Sequence, residues 1–341
     1  MPTSPRVATT TAPTPPIQAI SQGSSPLARA FLWHRPLMAV AALMVVCAII
    51  CLIGAFVDPR QVLGADTWLK PLKFSLSILL YCITWSWLIA HLPRFSHLAH
   101  TTGTVMAVAL AVEQVAIVGA AAAGTTSHFN VSTPFSTALW GVMAVSITVL
   151  YVATFVTTIL LFWMPLPTRS LTVAVRAGAA LALVGLGLAF LMTGPTAAQL
   201  NDYQGIVGAH TVGVADGGPG LPLLGWSTVS GDLRIPHFVG MHALQLIPLV
   251  AIALNALGRR VRLLADDRVR TRLVIVAVAA FAATLAVLTG QALSGQSIVQ
   301  PAGVFLAAGW GIIAATVVAT AVVLAAGARV ARKIRREEVS S

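Results

Sequence analysis

Apolar runs of about 20 residues recur along this chain, and each has the length a helix needs to cross a hydrocarbon core about 30 Å thick. They fall near 36–57, 72–93, 103–124, 136–163, 177–194, 236–257, 273–293 and 304–327. With no water in lipid to satisfy the backbone, segments of this kind fold as helices. The expected fold is therefore all-α, a polytopic transmembrane helix bundle of about eight spans over 31–328, with the lipid bilayer as its first partner. Only 9% of the residues are charged, against about a quarter in soluble domains. A net charge of +11 would suit a nucleic-acid partner if it formed one basic patch among aromatics. Here the basic residues sit in short connections between apolar runs, so nucleic acid is not expected.

Seventeen of the 21 Lys and Arg residues lie in the two tails or in the connections after spans two, four and six; the exceptions are Arg60, Lys70, Lys73 and Arg234. The positive-inside rule then places both termini in the cytoplasm, in a multi-pass protein of the plasma (inner) membrane. Residues 1–30, rich in Thr, Pro, Ala and Ser without apolar periodicity, read as a disordered cytoplasmic tail. Residues 329–341 read as a basic cytoplasmic tail. The connection over 195–235 is far longer than an ordinary loop, and its Gly-rich turns suggest a folded cap over the outer ends of the spans. Leu69-Lys70-Pro71-Leu72-Lys73-Phe74 and Leu233-Arg234-Ile235-Pro236-His237-Phe238 are alike, as are Trp140-Gly141 and Trp310-Gly311. These pairs suggest a 4+4 internal repeat.

The polar residues of the spans gather toward the outer side. Glu113 lies about 16 Å down its helix at 1.5 Å per residue, and a charge at mid-membrane costs about 2.5 to 3.5 kcal/mol. It should face the bundle, protonated or partnered, and Gln245, about 13 Å down span six, is the partner matched in depth. Polar groups at such positions mark function by default. Glu113, His242 and Asp232 are therefore the candidate catalytic groups. Lys73, Arg234, Gln245 and Asn130 are the candidate substrate-binding groups. Cys47, Cys51 and Cys82 lie inside apolar runs and read as small hydrophobes.

Four histidines are candidate metal ligands: His128, His210, His237 and His242. A zinc site would draw three or four donors from them and from Asp216 or Asp232, with Glu113 or Asp232 as base. His237 and His242 are five apart, about 140° around an ideal helix, which argues against their sharing one small ion. Haem would need one or two axial ligands. His242 and His128 could supply them, with Arg234 and Lys73 as cations for the propionates.

The strings Trp68-Leu69-Lys70-Pro71-Leu72-Lys73-Phe74, Gly124-Thr125-Thr126-Ser127-His128-Phe129-Asn130 and the run from Gly231 to Gln245 resemble a family of bacterial polytopic integral membrane proteins with no known activity. The layout is also loosely similar to haem A synthase, whose family places a ligating His pair in each half. Here the first half has only His128 on the outer side. Three function classes follow: an outward-facing membrane enzyme using a metal or haem, a small-solute transporter, and a sensor or structural protein. The polar trail enters from one side and stops near Glu113 and Gln245, which favours an enzyme or sensor over a transporter, whose route must reach both faces.

Overall fold

The computed structural model describes residues 26–340, with side chains over 29–332. It is mostly helical with almost no sheet. A short α1 (Pro26–Phe31) precedes α2 (Arg35–Val57), α3 (Leu69–Ala90), α4 (Ser96–Ala122), α5 (Pro134–Leu160) and α6 (Arg169–Gly187). After a small α7 (Ala197–Asn201) come α8 (Arg234–Met241), α9 (Ala243–Leu257), α10 (Asp267–Leu293) and α11 (Gly303–Ser340). Among the described residues seven helices are long and apolar enough to cross a membrane, and the count rises to eight if α8 and α9 form one span. Most of the tail expected over 1–30 lies outside the described residues. Its last five described residues belong to α1, and the expected basic tail after 328 continues α11 to Ser340.

Local chemistry sets the helix starts. Thr133 caps α5 by accepting from the Ser136 N–H, and Thr168 caps α6 through the Leu171 N–H. Each satisfies one of the donors left open in a first turn. His34 does the same for α2, its Nδ1 accepting from Leu37 N–H at 3.3 Å.

Two groups of helices pack side by side. Helix α2 lies along α3, and α4 lies along α3 and α5; α6 packs against α8, α9 and α10, while α11 lies along α10. One core runs through both groups, from Met44 and Trp85 to Leu150, Val175, Ala243 and Val274. Apolar side chains such as Ile53 and Phe56 on α2 and Trp310 and Val317 on α11 face outward, as lipid-facing surfaces do.

The expected span over 236–257 is not one straight helix. It bends by 43° at His242, dividing α8 from α9. Pro236 sits in the first turn of α8, where a missing N–H costs little. Helix α8 presses on α6 at Gly185 and Gly240, and a Cβ on Gly185 would come within 2.2 Å of the Gly240 carbonyl carbon. Only glycine permits that approach.

The 195–235 segment folds over one end of the bundle. Its strands β3 (Thr211–Val212) and β4 (Gly231–Asp232) pair antiparallel, and Gly220 bridges to Ser227. Thr196 and Gln199 form a reciprocal capping box on α7. The 124–130 connection joins this cap through a bridge from Asn130 to Ile206. A second small hairpin, β1 (Gln61–Val62) with β2 (Ala65–Asp66), completes the same end.

Candidate functional site

Beneath the cap lies a cavity of about 600 Å³. Its walls are apolar, with Leu110, Ile147, Leu150, Phe238 and Met241 among them, and Tyr81 at depth. Its polar residues include Lys70, Lys73, Glu113, His128, His210 and Arg234. The first turn of α3 delivers the two lysines, α4 delivers Glu113, and the start of α8 delivers Arg234.

Glu113 meets His128, not Gln245. The 124–130 connection turns inward at Gly124 (φ +67°) and Phe129 (φ +65°), the second a costly left-handed conformation for a bulky residue. This brings His128 Nε2 to 3.5 Å from Glu113 Oε1. The other carboxylate oxygen, Oε2, is buried with no hydrogen-bond partner among the described residues. On the far side of the ring, His128 Nδ1 is 3.1 Å from Lys70 Nζ and 2.9 Å from Ser127 Oγ. Phe74, Phe129 and Trp140 surround the imidazole, with ring centroids 5.5 to 5.9 Å away. Burial, reinforced by the Lys70 charge and by His210, holds the His128 pKa well below its ordinary value. The neutral ring then accepts at Nδ1 and carries its proton on Nε2, toward Glu113.

His210 stacks near Phe129 at 4.9 Å and donates from Nδ1 to Asp216 Oδ2 at 2.6 Å. Burial alone would raise Asp216, but donors from His210 and Thr211 outweigh it and hold the carboxyl well below its usual range. Burial lowers His210, against the pull of Asp216. The pair is thus a carboxylate with a neutral imidazole.

Asp232 is a clamp for Arg234 and does not face the cavity as a free base. Its carboxylate is nearly inaccessible and accepts from Arg234 Nε and Nη2 at 2.9 and 2.6 Å and from the Ser227 N–H at 2.8 Å. Arg234 Nη2 also donates to Gly225 O at 2.6 Å, and Lys73 Nζ donates to Leu224 O at 2.7 Å. Both cations therefore hold the 219–228 turn over the cavity.

Three other candidate residues lie outside the cavity lining. His242 sits at the bend, with Nδ1 3.3 Å from Gln245 Oε1, and Gln245 Nε2 donates to Thr84. Asn130 shapes its own turn by accepting from Ser132 N–H at 3.0 Å. The bend explains the first two, because it turns α9 away from the face that α8 presents to the cavity.

The four histidines do not form a zinc site. Among the described residues no three His, Cys, Asp or Glu side chains are grouped to hold a metal ion. Nor do His128 and His242 fit as haem ligands. Both His128 nitrogens face protein groups, and His242 does not line the cavity. His237 is different: its Nδ1 is held by Gly185 O at 2.8 Å and its ring lines the cavity. Among the described residues its Nε2 has no protein partner.

Ser127 is the residue that sequence reasoning passed over. It is 4% exposed, lines the cavity, and its Oγ bonds only to His128 among the described residues. A serine beside a histidine is too common a pair to stand out in a sequence. Compared with known proteins, the chain matches no family model, no curated protein and no solved structure.

Proposed function

We propose that this chain is a multi-pass membrane enzyme acting on an amphiphile. The apolar body lies between the helices, and an anionic head group sits at Lys70, Lys73 and Arg234. One observation carries this reading: a single cavity joins a deep apolar wall to a cluster of three cations and the Glu113 and His128 pair. An apolar cavity with a few convergent polar groups is the form of a small-molecule site. In a water-poor pocket an imidazole backed by a carboxylate is suited to moving protons to and from a bound substrate.

The same proposal includes eight spans, with α8 and α9 counted as one, and a 4+4 arrangement. Both ends lie on the arginine-rich cytoplasmic side of the plasma membrane, and the cap lies outside. The likeness to bacterial polytopic membrane proteins is carried with it. The transporter reading is weaker. On the far side of Tyr81 the buried hydroxyls of Thr154 and Thr157 donate to carbonyls four residues back, the ordinary bonding of packed helices.

Haem is the second reading, and His237 is the observation that favours it. With Nδ1 held by a backbone carbonyl in a residue that lines the cavity, Nε2 is the nitrogen that would be left to hold an iron. Haem bound there would supply redox chemistry, with Lys70, Lys73 and Arg234 near its propionates.

One preparation tests both readings. The protein is purified in mild detergent, its bound lipids are extracted and identified by mass spectrometry, and its visible spectrum is recorded oxidised and reduced. An anionic amphiphile at about one per protein, displaced in Leu150→Trp, supports the first reading. A Soret band lost in His237→Ala and kept in His242→Ala replaces it with the second. No retained amphiphile, even after incubation with anionic lipid, overturns the proposal.

A further inference from the structure

The buried serines of this chain mostly spend their hydroxyls on the protein itself. Ser75 donates to Pro71 O, Ser230 to Val212 O, and Ser170 to Asp267. Ser127 instead faces an imidazole, and that imidazole faces a carboxylate. The three groups form a line: Ser127 Oγ, 2.9 Å to His128 Nδ1, then His128 Nε2, 3.5 Å to Glu113 Oε1. All three side chains line the cavity. A hydroxyl hydrogen-bonded to one nitrogen of an imidazole, with a carboxylate paired to the other, is the geometric sign of an activated hydroxyl. The two ring nitrogens are used in the opposite order to a serine protease.

We infer that Ser127 is the nucleophile of this site and that the substrate is a fatty-acyl ester, cleaved by way of an acyl-Ser127 intermediate. This inference rests on the amphiphile-binding reading above. Ser127 Oγ attacks the ester carbonyl carbon while its proton passes to His128 Nδ1. The carbonyl oxygen takes up negative charge, and Lys70, which loses its hydrogen bond to Nδ1 as that nitrogen is protonated, is the cation released to meet it. Charge stabilisation of this kind supplies a large share of the acceleration in acyl transfer. The carbon–alkoxy bond breaks, and the alkoxide leaves as an alcohol with the proton from His128. A water, deprotonated by the same nitrogen, then releases the fatty acid and restores Ser127. The sum is ester plus water giving acid plus alcohol, with no change of oxidation state.

Among the described residues the Glu113 carboxylate pairs with His128 alone, and Glu113 is a positioning residue. It fixes the proton of the neutral ring on Nε2 and leaves Nδ1 as the acceptor that Ser127 shares with Lys70. The backbone turns through the left-handed region at Phe129, the residue after the Ser127 and His128 pair. The apolar walls fit an acyl chain, and the cations at the cap end fit a phosphate or carboxylate on the leaving group.

The test uses the full-length protein in detergent with two probes: a fluorophosphonate carrying a long alkyl chain, and a fluorescent fatty acid. The expected result is a covalent adduct on the Ser127 peptide by mass spectrometry. The adduct should be absent in Ser127→Ala and form about 100-fold more slowly in His128→Gln, the usual weight of a general base. In Glu113→Gln the adduct should still form, with a changed pH profile, a response that loss of packing alone would not give. Wild-type protein that retains the fatty acid but gives no adduct at Ser127 overturns the nucleophile and leaves the binding reading standing. Wild-type protein that retains neither overturns both.

Discussion

Lys73 Nζ donates to the main-chain carbonyl of Leu224 at 2.7 Å, across 151 residues of sequence, and so ties the first turn of α3 to the turn that covers the cavity. Arg234 holds the next carbonyl, Gly225 O. The cations proposed to meet an anionic head group are the same ones that fasten the cover. An anionic ligand and the closed 219–228 turn should therefore compete for the same donors.

Replacing Lys73 with Met keeps its length and removes its donors. Hydrogen bonds from charged groups contribute about 1.5 to 3 kcal/mol, reduced here by partial exposure. The amide of Gly225, which donates to Leu221 O, should then exchange about tenfold faster in a hydrogen–deuterium experiment. Unchanged exchange would show that Arg234 alone holds the turn.

Close packing of α6 on α8 depends on Gly185. A methyl group there would meet Gly240 at 2.2 Å, and backbone cannot yield as a flexible side chain does. Gly185→Ala should destabilise by about 1 to 3 kcal/mol or more, as overpacked cores do, and lower the melting temperature in detergent. Gly141→Ala is the control. Nothing lies within 4 Å of its added carbon, and mid-helix Gly to Ala stabilises by about 0.5 to 1 kcal/mol.

Acid should loosen the cap in two stages. His128 and His210 both titrate below the ordinary 6.5 in the folded chain, chiefly through burial. The unfolded chain thus binds more protons below that value, and stability falls as pH drops. It is fully present above pH 6.5 and lost progressively below it. Asp216, held below its ordinary 3.8 by His210 and Thr211 against the opposing effect of burial, adds a second loss below about pH 4. Melting temperatures measured from pH 8 to 4 should decline through the first range, and His128→Gln should flatten that decline.

The proposed topology has its own check. A reporter fused after Arg262 should read cytoplasmic, and one inserted near Gly218 should read external. Finding both on one side would remove the basis for an outward-facing cavity.

Some of this protein is legible in its sequence alone. The length of the apolar runs identifies helices of membrane length, because lipid leaves the backbone no alternative bonding. The crowding of polar residues at one end was equally visible, since a polar group in a span is costly wherever the helices pack. What depth along separate helices cannot supply is rotation and the path of the loops. Glu113 and Gln245 match in depth, yet the inward turn at Gly124 and Phe129 gives Glu113 to His128. The bend at His242 removes that residue and Gln245 from the cavity and leaves His237 facing it. Asp232 looked like a base, but its bonds to Arg234 and Ser227 make it a clamp. Ser127 could not be singled out at all, because a hydroxyl differs from its neighbours only in what stands within 3 Å of it. The elements, and the end of the bundle where chemistry collects, follow from hydrophobicity that each segment carries alone. The partners of each polar side chain were decided only by tertiary structure, because a hydrogen bond depends on ångström distances between residues far apart in the chain.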